Sequence, residues 1–202
     1  MYSKEFSNFK FPDGHQELSE NFYREIYHEK EYDRYGIRVE EGDIVLDCGA
    51  NIGIFSQYAI DMGASKVIGY ECDPAFFYNY VQNIEDSRVF KKLGFVGKDN
   101  YDIKKIISEN NLDHIDFAKI DIEGHEWDML ISVDKDDLLK IKKIAIELHT
   151  FYYNDNVSPD DKANTLWKLV VIMDKLTSYG YDVKIEHIHK GWDVIHLFAI
   201  RK

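Results

Sequence analysis

Residues 42–74 read GDIVLDCGANIGIFSQYAIDMGASKVIGYECDP, and this stretch decides the fold. Ile44-Val45-Leu46 is a short apolar run closed by Asp47. A glycine-bracketed turn follows, Cys48-Gly49-Ala50-Asn51-Ile52-Gly53. Ile52, Phe55, Ala59 and Met62 then recur at helical spacing up to Gly63. Lys66-Val67-Ile68-Gly69-Tyr70 reads as a second strand, closed by Glu71. Strand, glycine turn, helix, strand and acid make one βαβ unit of the kind that binds an adenosine-containing cofactor.

The details of the turn select the cofactor. A dinucleotide site uses G-x-G-x-x-G, which lets the backbone approach a pyrophosphate at the helix N-terminus. Here the spacing is Gly49-x-x-x-Gly53, with Asn51 in place of the middle glycine. Asp47 stands at the strand end, where a carboxylate repels phosphate but suits a sulfonium and an ammonium group. Glu71 is placed to accept from ribose hydroxyls. S-adenosyl-L-methionine satisfies all three features, whereas NAD satisfies only the last.

Three motifs occur in order: LDCGANIGIFS from Leu46, YECDP from Tyr70, and KIDIEGHEWDML from Lys119 to Leu130. They resemble the FkbM-type family of S-adenosylmethionine-dependent methyltransferases, whose pattern runs D-x-G-A-N-x-G-x-x-S, E-P-x-P and K-x-D-x-E-G-x-E. Cys72 departs from that pattern, standing where the family has proline. The resemblance implies an α/β, Rossmann-like class I methyltransferase fold. Its open, mostly parallel seven-stranded sheet has order 3-2-1-4-5-7-6, with helices on both faces and a C-terminal antiparallel hairpin. The expected cofactor-binding set is Asp47, Gly49, Ala50, Asn51, Gly53, Glu71, Cys72, Gly94, Phe95 and Asp121.

The rest of the chain fits around this unit. Its 202 residues, 45% hydrophobic and 14% aromatic, suit a single domain over 1–202, with an N-terminal helical cap over 1–42 and the Rossmann-like core over 43–202. A net charge of -12 disfavours a nucleic-acid partner. No apolar stretch reaches the roughly 18 residues of a membrane helix, so no membrane partner is expected. Cys48 and Cys72 read as free thiols of a reduced, cytoplasmic protein, expected as a monomer or homodimer.

Before the core unit, Asn21 to Tyr27 reads as a helix start and Ile37-Arg38-Val39 as a short strand, either a lid over the cofactor mouth or a cover for a sheet edge. After it, Asp73-Pro74 caps a helix, Ser87 to Gly97 holds a third strand, and Tyr101 to Asn110 a short helix. Phe117 to Gly124 is a fourth strand running into a turn, with Asp121 and Glu123 on one side by alternation. Lys143 to His149 is a fifth strand, covered on both faces. Ser158-Pro159-Asp160-Asp161 starts a helix whose buried stripe is Leu166, Leu169, Val170, Met173 and Leu176. Tyr181–His189 and Trp192–Arg201, joined through Lys190-Gly191, read as an antiparallel hairpin.

Methyl transfer from a sulfonium is an in-line displacement that also removes the acceptor's proton. His149, at the end of the fifth strand, is the first candidate base, because histidine titrates in the useful range; Glu123 and His125 follow. Asp121, Glu147 and His149 offer a mixed oxygen and nitrogen set, but no tight ligand cluster appears, and no metal is expected. The resemblance implies O-methylation of a small-molecule or sugar hydroxyl. The competing readings are an NAD(P)-dependent oxidoreductase or epimerase, and a module that binds the cofactor without turnover.

Overall fold

The computed structural model describes residues 4–150, 158–186 and 194–201. Helix α1 (Gln16–Arg24) runs on into a π turn over Glu25–Glu29. Then follow β1 (Ile44–Cys48), α2 (Ile54–Asp61), β2 (Lys66–Glu71), α3 (Pro74–Asn83) and β3 (Val89–Leu93). The chain continues with α4 (Ile103–Glu109), β4 (Ile115–Ile120), α5 (Glu126–Ser132), α6 (Lys135–Leu138) and β5 (Ile141–His149). It closes with α7 (Pro159–Ser178), β6 (Tyr181–Glu186) and β7 (Val194–Arg201).

The seven strands form one sheet in the order β3-β2-β1-β4-β5-β7-β6. The first five in that order are mutually parallel, and β7 is antiparallel to both β5 and β6. This is the expected order, closing hairpin included; the Lys190-Gly191 turn lies outside the described residues. Alternation along the strands splits the core in two. Leu46, Ile68, Ala118 and Ile144 face one layer with α4, α5 and α7. Val45, Val67, Phe117 and Ala145 face the other, with α2, α3 and the N-terminal segment. Both faces are covered, which is why these strands read as near-continuous apolar runs.

Lys143 breaks the apolar run of β5 but is buried with partners: its Nζ lies 2.7 Å from Asp43 and 3.1 Å from Glu40. Asp73 caps α3, accepting from the backbone N–H groups of Ala75 and Phe76. Among the described residues, no helix is long and apolar enough to cross a membrane.

The N-terminal segment is both cover and wall. Tyr27 is buried, stacked on Tyr23 and edge-on to Tyr58 of α2. Phe22, Ile26 and Tyr32 face the cavity described below. Three expectations are corrected. Ile37-Arg38-Val39 forms no strand: Ile37 makes a single bridge to Arg34, and Ile37 and Val39 are separate apolar anchors in the core. The first helix starts at Gln16 rather than Asn21. In α7, Leu166 and Val170 are exposed, and Ile172 joins Leu176 in the core. α7 packs against α5 and β6, with Leu169 partly buried beside Ile172 and Leu176.

Candidate functional site

A cavity of about 330 Å³ opens beyond the carboxyl ends of β1, β2 and β4. Its floor is the turn after β1. Gly49, Asn51 and Gly53 have φ of 78°, 51° and 93°. Asparagine tolerates the left-handed region better than most residues, and Asn51 also accepts from the Ile52 N–H through its own side chain. Gly49 meets a stricter demand, since a Cβ there would lie 1.8 Å from the Asp121 carbonyl oxygen. The turns after β1 and β4 therefore touch backbone to backbone. Gly53 has a packing role, since a Cβ would strike the Tyr80 ring at 2.4 Å, and it does not line the cavity.

Glu71 ends β2 with its carboxylate between two backbone donors. Its Oε2 accepts from Asn51 N–H at 2.7 Å and its Oε1 from Asp73 N–H at 2.8 Å. Each oxygen keeps a further lone pair for a ligand. Ala50, Cys72, Gly94, Phe95 and Asp121 line the same cavity, with the Phe95 ring edge-on to His125 at 4.6 Å.

Asp47 does not line the cavity. It is fully buried, accepting from Ser56 Oγ at 2.7 Å with Lys119 Nζ at 3.7 Å. Burial raises its pKa, against the pull of Lys119 and Ser56. Lys119 occupies the space expected for a ligand cation. It donates to the Gly49 carbonyl at 2.7 Å and to Asp121 at 3.2 Å. Burial alone would lower its pKa, but Asp121, Asp47 and Glu147 keep it charged. The acidic character expected of Asp47 is supplied instead by the wall, where Glu25, Glu31, Glu71, Asp73, Asp121, Glu123 and Glu147 stand against one lysine. Burial raises Asp121 to about 7, with Lys119 opposing and Glu147 adding. Glu25 rises to about 7 through burial and its acidic neighbours Glu31 and Glu147.

The turn after β4 gathers the expected catalytic residues, by a different geometry from strand alternation. Glu123 sits at φ 54°, exposed, with Gly124 at φ 101° behind it. His149 Nε2 lies 3.4 Å from Glu123 and 3.9 Å from Asp121, and its Nδ1 lies 3.1 Å from Glu126. Glu126 is fully buried and accepts from the N–H groups of Ile122 and Gly124, clamping the turn. Burial would lower the His149 pKa, but Glu126, Asp121 and Glu123 raise it to about 9. His149 is thus a cation at neutral pH, outside the cavity lining, while Glu123 and His125 line it.

At the far wall, Tyr32 donates to Glu147, and its ring lies 5.6 Å from Lys119 Nζ. Glu31, Glu147 and His196 converge beside it. None of Tyr32, Glu31 and His196 was expected from the sequence. Lys119 and Glu126 sit inside the third motif, at the first and last positions of the pattern K-x-D-x-E-G-x-E, and that position was their only signal.

The profile described as methyltransferase FkbM domain matches residues 85–183. Among curated proteins, the AMB antimetabolite synthetase AmbE of Pseudomonas aeruginosa is 23% identical over 94% of this chain and 12% of its own length. The 31-O-demethyl-FK506 methyltransferase FkbM of Streptomyces tacrolimicus is 49% identical over 37 residues, 18% of this chain and 14% of that protein. The matches thus span only 12% and 14% of those two relatives. Among solved structures, fibrillarin of Aeropyrum pernix with natively bound S-adenosyl-L-methionine gives a TM-score of 0.60 at 16% identity, covering 89% of this chain and 76% of that one. Magnesium protoporphyrin IX methyltransferase of Synechocystis PCC 6803 with bound SAH gives 0.60 at 12% identity, covering 98% and 91%. The fold is that of the class I methyltransferases.

Proposed function

We propose that this chain, which resembles the FkbM-type methyltransferases in its three motifs and matches their domain profile over residues 85–183, binds S-adenosyl-L-methionine and transfers its methyl group to a hydroxyl of a small molecule or sugar. The observation that carries the reading is the Glu71 carboxylate. Two backbone N–H groups hold it at the cavity floor, with lone pairs left for a ribose diol. Phe95, Cys72 and Asp121 line the same cavity, and in this reading the first two flank the adenine while Asp121 takes the sulfonium and ammonium end. The acidic wall suits that cationic end and disfavours the pyrophosphate of NAD.

In this reading the protein aligns acceptor oxygen, methyl and sulfur in line and removes the acceptor proton. His149 is a poor base, because its proton is held up to about pH 9. Its part is to position Glu123 and Asp121. Proton removal falls to Glu123 or His125 at the same wall. The acceptor class rests on the family resemblance.

Titration calorimetry with S-adenosylhomocysteine, NAD and NADP tests the cofactor. Micromolar binding of the first, roughly −8 kcal/mol, is expected, with none of the others. NAD binding without S-adenosylhomocysteine binding would overturn the reading. A screen of hydroxylated metabolites for S-adenosylhomocysteine release then separates an enzyme from a binding module.

A further inference from the structure

Glu31, Glu147 and His196 come from three distant segments: the loop after the N-terminal π turn, β5 and β7. One donor atom from each lies within 4.8 Å of the other two. His196 Nε2 is 3.2 Å from Glu31 Oε1 and 3.6 Å from Glu147 Oε1. Metal–ligand bonds of about 2.0–2.1 Å place adjacent ligand atoms about 2.8–3.4 Å apart; the 3.2 Å separation lies inside that range and the 3.6 Å one just above it.

A second observation points to a ligand. His196 is only 1% exposed; its Nδ1 has no hydrogen-bond partner among the described residues, and its Nε2 meets both carboxylates in ion-pair contacts that lack hydrogen-bond geometry and favour a proton on the ring. A divalent cation between the three groups would replace that proton and satisfy the same two carboxylates at bonding distance. Tyr32, donating to Glu147, is the kind of partner that orients a carboxylate ligand. The other acidic group with a histidine, Asp121, Glu123 and His149, lacks these features. His149 has Glu126 on its Nδ1, and Glu123 is 84% exposed.

We infer that Glu31, Glu147 and His196 bind a divalent first-row metal ion at the wall of the cavity. Two carboxylates and one imidazole suit manganese, iron or zinc rather than calcium. The three residues also line the cavity, so an ion there sits beside whatever occupies it. A role in holding the acceptor rests on the methyltransferase reading; the ion's presence does not.

The test uses the whole chain, stripped with chelator and dialysed. Mn²⁺ is titrated in, and free ion is followed by electron paramagnetic resonance, with Zn²⁺ measured in parallel by equilibrium dialysis. One ion per chain is expected. Partners behind metal ligands cost roughly 10–100-fold when removed, so loss of a ligand should weaken binding by on the order of 100-fold or more. Glu31→Gln and His196→Gln should each show this, and Glu123→Gln should bind as the parent does. Circular dichroism checks each fold, and Glu31→Gln decides alone if His196→Gln is unfolded. No binding of either ion up to millimolar concentration, or a folded Glu31→Gln that binds like the parent, would overturn the inference and leave an imidazolium between two carboxylates. S-adenosylhomocysteine titration of the same stripped samples reports separately on the cofactor reading.

Discussion

Glu71 is the residue on which the cofactor reading can be broken most directly. Both its oxygens accept from backbone N–H groups, at 2.7 Å from Asn51 and 2.8 Å from Asp73, and the residue is 7% exposed. Glu71→Gln keeps the shape but turns an NH₂ group toward one of those donors. That N–H is left unpaired, at a cost of about 1–3 kcal/mol of stability. The ligand loses one bond to a charged acceptor, about 1.5–3 kcal/mol, or roughly 10–150-fold in Kd. Glu71→Ala strands both donors, costs about 2–6 kcal/mol of stability, and frees the turn at Asn51. Thermal unfolding and calorimetric titration with S-adenosylhomocysteine, run on parent, Gln and Ala, separate the two effects. A folded Glu71→Gln that binds within about twofold of the parent would refute the argument, because the amide cannot serve both backbone donors and the ligand.

Gly49→Ala forces a Cβ to 1.8 Å from the Asp121 carbonyl in a left-handed turn, so it should cost about 3 kcal/mol or more and abolish cofactor binding. Gly42→Ala, with a similar φ but nothing within 4 Å, should cost only roughly 1 kcal/mol. Lys119→Met leaves the buried Asp47 and the half-buried Asp121 without their shared cation and should lower stability in urea by about 3–5 kcal/mol. His149, raised from 6.5 to about 9, contributes stability that is fully present below about pH 6.5 and lost as pH rises to about 9. With chelator present, the melting temperature should therefore fall across that window, and less steeply in His149→Gln; equal slopes would show that the carboxylates around it do not hold the proton.

What could be read from the sequence was whatever one segment carries by itself. The β1 turn, the β2 acid and the motif after β4 each sit within a dozen residues, and periodicity and spacing locate them. The parts that escaped are assembled across the sheet. Lys119 sits in a strand whose neighbours are apolar, and its link to Gly49 exists only because β1 and β4 are adjacent. Asp47 stood at the right strand end, but the sequence does not say that Ser56 already holds one of its oxygens and that Lys119 stands 3.7 Å from the other. Glu31, Tyr32 and His196 belong to segments with no motif and meet only through the topology. Glu123 and Asp121 share a side through a left-handed turn rather than by strand alternation.

The place of β7 bears on how the molecule is made. β5 is bordered on one side by β4, and its other edge, from Lys143 to His149, is paired along its length by β7. Those partners arrive 194 − 149 = 45 residues later. Until then the growing chain presents a bare row of backbone donors and acceptors beside Ile144, Ile146 and Leu148, the kind of open template that recruits a strand from another molecule. A long-range pairing of this kind is also among the slower events in folding. A nascent chain stalled, or cut, before residue 194 should therefore be the aggregating species, even though the cavity floor and its carboxylate are already encoded upstream.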